Sequence, residues 1–491
     1  MKTSRRTFYF LVILIAWLPY WWAFFPIIVS YDGAAQLANF FGLSYPNNHQ
    51  PYTAAAIMGV LIKFFMKLTN NNSTWSFALY AGLIGSCSAI VCSRLVVKFG
   101  TAFGRNIQWL SLLLFALFPL FPFYAFSYDK TAPFLIGIGM SFSALISIAI
   151  DKNLNNHLWE LAIGTVVTSV FRSDGYYVMV IVLLACVVVL RSKQLLLCLI
   201  SIIVLMTVIT KVIFPMAFIA PGLPGDSISV PLQQVAYTVK THEAQLKGSK
   251  LYDDLNKIMP LKKITEAYNP NLADYVKFNY GNTYNNENKS KKEAFETFLK
   301  ERSKYGIRNF LKLWLRLGMK YPFDYVKAWI YQVDSYYSPT NDNEQEKSSG
   351  QLFMNLNQVW VQNRITDVMR QLNFSVDYNG SEFAKKFKNR LLTPLHNNNI
   401  IYKIFLSAWL YDWLLIISSL ILLVKMIRKK VSIVWGLPFL LPLGVLGVAM
   451  LTPVDGGMRY ILPVIMAVPM CIAVIFDTNH LNIKDKNREI I

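Results

Sequence analysis

The chain has 491 residues, of which 54% are hydrophobic and 15% are charged. A soluble domain carries roughly 25% charged residues, so the composition excludes an ordinary soluble protein and indicates an integral membrane one. The formal net charge of +20 sits largely in short loops and one polar region without a nucleic-acid-binding motif, which favours membrane orientation and anionic lipid or polymer over nucleic acid as its cause.

Lys2, Arg5 and Arg6 precede an apolar run from Phe8 to Val29. That run is too long for a signal-peptide core and no small-residue cleavage site follows it, so it reads as a retained first span. Further apolar runs predict spans near 75–97, 107–126, 131–150, 157–171, 175–190, 194–217, 402–426, 431–451 and 459–476, about ten transmembrane helices in all. The five cysteines all lie within apolar runs and read as small inert hydrophobes.

The run at 53–68 is shorter and is interrupted by Lys63 and Lys67. If it does not cross, a cytoplasmic N-terminus places Lys98, Arg105, Lys152, Arg191, Lys193, Lys425 and Arg428–Lys430 on the inner side, as positive-inside bias requires. If it crosses, that bias is reversed. The segment is therefore expected to be a juxtamembrane helix on the outer surface. The same choice puts Asp32, His49, Asp129, Lys130, Arg172, Asp174 and the stretch Asp455–Arg459 on one extracytoplasmic face.

The organisation expected is a membrane core over 1–217, with a first outer loop at 30–52. An extracytoplasmic, mainly helical polar region follows over 218–401, then C-terminal spans over 402–476 and a cytoplasmic tail over 477–491. Within the polar region, 290–319 carries helix formers with apolar residues at broadly helical spacing. The stretch 321–337 is rich in aromatic residues suited to the outer membrane interface. Asn-rich loops are expected over 280–288 and 339–349.

The chemistry-bearing residues are those that interrupt apolar sequence. Asp32, in Ser-Tyr-Asp-Gly after the first span, is either a partly desolvated general base or a helix-terminal carboxylate in headgroup water. His49 could orient a hydroxyl, shuttle a proton or bind a metal, and as a lone loop histidine it could do none of these. Asp129 and Lys130 either pair with each other or meet a substrate or metal. Arg172 suits phosphate oxygens through its two-pronged donor geometry, the alternative being a structural pair with Asp174. Arg459 follows Gly456 and Gly457, where a phosphate could approach the backbone, or else it contacts lipid headgroups. There is no Walker A loop, GxGxxG, HExxH, CxxC or nucleophile elbow. A soluble nucleotide donor is thus disfavoured, and an outward-facing site would draw on a donor already in the membrane.

SYDG at 30–33, HQP at 49–51, YDK at 128–130 and the Arg459–Tyr460 pair resemble the GT-C superfamily of polyprenyl-phosphate-sugar-dependent glycosyltransferases. SYDGAAQ, FRSDGYY, SVPLQQVA, YPFDYVKAW and PVDGGMRYILP are more closely similar to an uncharacterised family of Gram-positive multi-pass membrane proteins placed in that superfamily. The resemblance implies an all-α, GT-C-like fold. It also implies sugar transfer from a lipid-phosphate donor to a cell-envelope acceptor such as teichoic acid, polysaccharide, lipid or protein. Asp32, His49 and Asp129 would be catalytic, and Lys130, Arg172 and Arg459 would bind the donor phosphate. Asp174, Gln36, Gln233 and Gln234 would support them. A divalent cation, Mg or Mn, shared by Asp32 and Asp129 is left open. A lipid-linked saccharide flippase and a non-catalytic scaffold for wall synthesis are the rival expectations.

Overall fold

The computed structural model describes residues 2–222, 225, 228–280, 290–304, 307–339, 356, 359–392, 404–452 and 457–476. The loops expected over 280–288 and 339–349 fall almost wholly outside these residues, as do Asp455, Gly456 and the tail from Asp477.

Apolar sequence without internal turn signals folds as helix here because a helix satisfies its own backbone hydrogen bonds, as a lipid environment demands. In chain order these are α1 (Lys2–Ala23), α2 (Tyr31–Phe41), α3 (Tyr52–Leu68), α4 (Ser73–Phe103), α5 (Arg105–Leu117) and α6 (Leu120–Ala125). Then come α7 (Thr131–Asp151), α8 (Leu158–Phe171), α9 (Ser173–Leu190) and α10 (Lys193–Met216), the last containing a π-helical turn at Ile209–Ile213.

Among the described residues seven helices are long and apolar enough to cross a membrane: Arg5–Ala23 of α1, α4, α7, α9, α10, and two near the C-terminus, Ala408–Ile427 and Met458–Phe476. The chain is an all-α membrane protein to that extent. The three other expected spans are helical but shorter. The run at 107–126 is broken at Phe118–Pro119 into α5 and α6, α8 has 14 residues, and Ile433–Ala449 is likewise a short apolar helix. The segment at 53–68 is helical, as α3. It buries Ala54, Ala55, Met58, Gly59 and Ile62 while leaving Ile57, Val60, Phe64 and Leu68 exposed.

Among the described residues two short strands interrupt the helices, β1 (Ile28–Val29) and β2 (Ser127–Tyr128). They pair in parallel, Ile28 against Ser127 and Val29 against Tyr128. This pairing decides where the polar residues lie. It aligns the exits of two remote segments, so that the chain after β1 and the chain after β2 emerge side by side.

The polar region has its own hydrophobic core, separate from that of the helix bundle. Leu232, Val235 and Val239 of α11 (Ser229–Thr241) meet Leu255, Leu261 and Ile264. Phe310 and Leu317 of α12 (Ile307–Lys320) and Tyr325 of α13 (Pro322–Gln332) complete it. Helix α14 (Val359–Gln371) instead joins the main core and packs on α2. The last helices of the chain to be described are α15 (Ala408–Ile427), α16 (Gly436–Ala449) and α17 (Met458–Phe476).

Candidate active site at the strand exits

The first corner runs from β1 into α2. Ser30 caps the helix, its Oγ accepting from Gly33 N at 2.7 Å. A Ser at this position offsets one of the unsatisfied amides of a helix start. Asp32 falls in the first turn, where the helix dipole favours a carboxylate. Gly33 is required by proximity, because a Cβ there would lie 1.9 Å from the Tyr128 carbonyl oxygen. The α2 start can therefore press against β2 only with glycine at that position.

The second corner runs from β2 into α7 and carries Asp129 and Lys130. Asp129 is fully buried. Its Oδ2 accepts from Ser30 Oγ at 2.7 Å and its Oδ1 accepts from Thr131 N at 2.8 Å. Oδ2 thus joins the two corners, while Oδ1 fixes the start of α7 within its own corner.

Asp32 has a different environment. Its Oδ2 lies 3.1 Å from Arg459 Nη1 and 3.8 Å from Lys130 Nζ. Its Oδ1 accepts from Gln50 Nε2 at 3.3 Å. Burial is the largest influence on this carboxyl and pushes its pKa up. The positive charges of Arg459 and Lys130, with smaller contributions from His49 and Arg172, outweigh it and hold the pKa at about 2. In the resting protein Asp32 is an ionised counter-charge and a weak base.

Arg172 ends α8 and leads into α9. It grips Asp174 with two hydrogen bonds, Nε to Oδ1 at 3.1 Å and Nη2 to Oδ2 at 2.8 Å. The structural pair expected as one alternative is therefore formed. Its guanidinium also lies 4.9 Å from the ring of Tyr460 and 5.0 Å from that of Phe134. Arg459 approaches the same Tyr460 ring at 5.0 Å, and its Nη2 donates to the Tyr460 hydroxyl at 3.0 Å. Tyr460 is thus shared by the two arginines. Gly457 makes room for it, since a Cβ there would lie 2.4 Å from the ring. A small crevice of about 10 Å³, room for roughly one water molecule, opens beside this cluster and is lined by Arg172, Asp174, Tyr460, Val178, Val445 and Ala449 among others.

Six of the ten residues singled out from sequence therefore gather around Asp32: Asp32 itself, Lys130, Arg172, Asp174, Arg459 and, through its charge, His49. Asp129 adjoins them as the pin between the corners. Gln36 is fully buried on α2, and its amide has no hydrogen-bond partner among the described residues. Gln233 and Gln234 belong elsewhere. Gln233 donates to Asn269 O at 2.6 Å, and Gln234 bridges Tyr325 O and Trp314 Nε1 at 3.1 and 2.9 Å inside the polar region. Their amides hold helices together there.

Gln50 and Tyr460 were not among the expected site residues. Gln50 carried a signal in its place between His49 and Pro51 in the polar first loop, and Tyr460 in its place next to Arg459. Among the described residues no three His, Cys, Asp or Glu side chains converge as a metal set.

A family model matches residues 42–489, described as a family of unknown function (DUF6020). The chain belongs to that family. No curated protein and no solved structure matches the chain.

Proposed function

We propose that the chain is an integral membrane glycosyltransferase, moving a sugar from a polyprenyl-phosphate donor to a cell-envelope acceptor on the extracytoplasmic face. The observation that carries this reading is a single carboxylate, Asp32, met by Arg459 and Lys130, with Arg172 beside them across Tyr460. A reaction that needs a base and releases a phosphate needs this combination. A soluble nucleotide donor finds no binding-loop motif in the sequence, whereas the membrane-spanning helices that flank the cluster suit a lipid-linked one.

The acceptor hydroxyl gives its proton to Asp32 as its oxygen bonds to the anomeric carbon. The bond from that carbon to the phosphate oxygen breaks, and polyprenyl phosphate departs with one more negative charge. Cations at that phosphate gain strength as the charge develops, which is what raises turnover rather than mere binding.

The resting ion pair has a specific consequence. A donor phosphate competes with Asp32 for Arg459 and Lys130. Once they turn to the phosphate, burial is left as the dominant influence on Asp32, and it raises the carboxyl's affinity for a proton. Donor binding thereby converts a counter-ion into a base. Premature deprotonation of water in the empty site is suppressed by the same device.

A lipid-linked saccharide flippase is the second reading, because a cluster of cations beside membrane-spanning helices suits a lipid phosphate whether or not it reacts. The test incubates the detergent-solubilised chain with a synthetic short-chain polyprenyl-phosphate sugar and envelope acceptors. Glycosylated acceptor with release of polyprenyl phosphate is expected. Lipid movement across reconstituted vesicles without transfer from any such donor would give the case to the flippase.

A further inference from the structure

Helices α12 and α13 bury one face in the core of the polar region and leave another uncovered. On α12, Phe310, Leu313 and Leu317 point inward, whereas Leu311, Leu315 and Met319 are 38%, 54% and 69% exposed. The stripe continues on α13 with Phe323, 83% exposed, then Val326 and Ile330. Six exposed apolar side chains thus recur at three- and four-residue spacing along two consecutive helices. Arg308, Lys312 and Arg316 run beside them, one residue after or three before each apolar member, and all three are exposed. An apolar stripe bordered by a basic one is the pattern of a helix lying in a membrane interface, with apolar groups among the acyl chains and cations among the headgroups.

The position of the strip fits this occupant. At the end of the bundle that carries the polar region, Trp22 of α1, Trp75 of α4, Tyr177 of α9 and Trp413 of α15 are exposed. Aromatic residues of this kind mark the level of the headgroups. The strip is tied to the same level. Trp329 Nε1 donates to Met450 O at 3.1 Å and Gln332 Nε2 to Thr452 O at 2.7 Å, just beyond α16. Trp413 Nε1 donates to Tyr337 O at 2.9 Å. The C-terminal end of α13 is therefore fastened to the ends of apolar helices, so its exposed face is held beside the bilayer rather than far from it.

We propose that α12 and α13 form an amphipathic shelf that docks on the anionic lipid leaflet on the side of the polar region. Leu315, Met319 and Phe323 would enter the interface, and Arg308, Lys312 and Arg316 would pair with headgroup phosphates. The surface is separate from the Asp32 cluster and depends on the membrane-spanning character of the chain, not on sugar transfer. Its effect is to fix the polar region against the membrane and so limit how far it can swing from the bundle.

Single cysteines replace Leu315, Met319, Phe323 and, as a control, the exposed Lys257 in a full chain lacking its five native cysteines, and each carries an NBD fluorophore. The proteins are reconstituted in phosphatidylglycerol or phosphatidylcholine vesicles with or without brominated acyl chains. Labels at the three shelf positions are expected to shift to the blue and to lose at least half their intensity to brominated phosphatidylglycerol, while the label at Lys257 is unchanged. Replacing Arg308, Lys312 and Arg316 together by Gln is expected to reduce that quenching at least twofold. Equal quenching at shelf and control positions would overturn the proposal. Quenching indifferent to lipid charge and to the Gln substitutions would overturn the pairing with anionic headgroups. A blue shift that grows with protein concentration in detergent, without quenching by brominated lipid, would assign the strip to a second copy of the chain instead.

Discussion

Two corners of this molecule have the same local design and opposite chemistry. In each, a two-residue strand ends, a helix begins within three residues, and a carboxylate sits at the junction: β1, Asp32 and α2 in one, β2, Asp129 and α7 in the other. Asp129 sets one oxygen on the Ser30 hydroxyl across the corners and the other on the Thr131 amide of its own corner. Asp32 is held by Arg459 and Lys130, side chains long enough to turn toward another anion, and by a 3.3 Å bond from Gln50. A carboxylate fixed by backbone and cap geometry has its role in the fold. One balanced by movable cations is available for chemistry.

The largest effect that distinguishes the corners is on folding. Asp129→Ala deprives the Thr131 amide of its acceptor and leaves the buried Ser30 hydroxyl only a 3.5 Å approach to Tyr128 O. An orphaned buried donor costs about 1–3 kcal/mol, so a sharp loss of folded protein is expected by size-exclusion yield and thermal melting in detergent. A variant that melts as the wild type does would deny Asp129 its structural role.

Next comes the loss of a cation. Arg459→Ala is expected to lower the single-turnover transfer rate by about 10²–10³-fold, the scale found for removal of one preorganised charge-stabilising donor. Donor affinity should fall less than turnover. Arg459→Lys should recover only part, because Lys lacks the paired donors that reach both phosphate and Tyr460. Equal losses in affinity and turnover would indicate uniform binding and contradict transition-state stabilisation.

A smaller effect is the acid limb of stability. Asp32 has a folded pKa of about 2, below that of a free carboxyl near ~3.9. A depressed carboxyl stabilises the native state above its unfolded pKa, and that contribution disappears as pH falls through the folded one. Thermal melting of the wild type should therefore drop between about pH 4 and pH 2 by more than that of Asp32→Asn. Parallel curves for the two proteins would mean that the ion pair is absent in solution.

Smallest is the effect in the polar region. Gln234→Ala removes hydrogen bonds to Tyr325 O and from Trp314 Nε1, at about 1–3 kcal/mol of local stability. Transfer by the folded protein should be unchanged within about twofold, as measured in the donor assay. A 100-fold loss would return Gln234 to the site.

These contrasts also show what the sequence could reveal. Hydropathy located the apolar helices, and the charges that interrupt it, at Asp32, Lys130, Arg172 and Arg459, do converge in space. Such charges are costly in apolar surroundings and stand out for that reason. Asp129 stood out equally, yet its partners, a cap hydroxyl 99 residues away and its own neighbour's amide, leave no mark in composition. The β1–β2 pair is two residues long on each side, too short for any period to register. Gln233 and Gln234 were drawn in by a motif although their amides turn inward to the core of the polar region. Tyr460, whose ring lies against both arginines, looked like one more aromatic at a helix end.

The central claim is that Asp32 becomes the base while Asp129 holds the corners. It is tested most directly by single-turnover transfer from a synthetic polyprenyl-phosphate sugar, comparing wild type with Asp32→Asn at matched amounts of folded protein. Removal of a general base is worth about 10²–10⁴-fold, so Asp32→Asn is expected to lose transfer by at least that lower figure while its donor affinity is retained or increased, since Arg459 and Lys130 no longer have to leave a carboxylate. Transfer at the wild-type rate by Asp32→Asn would contradict the claim.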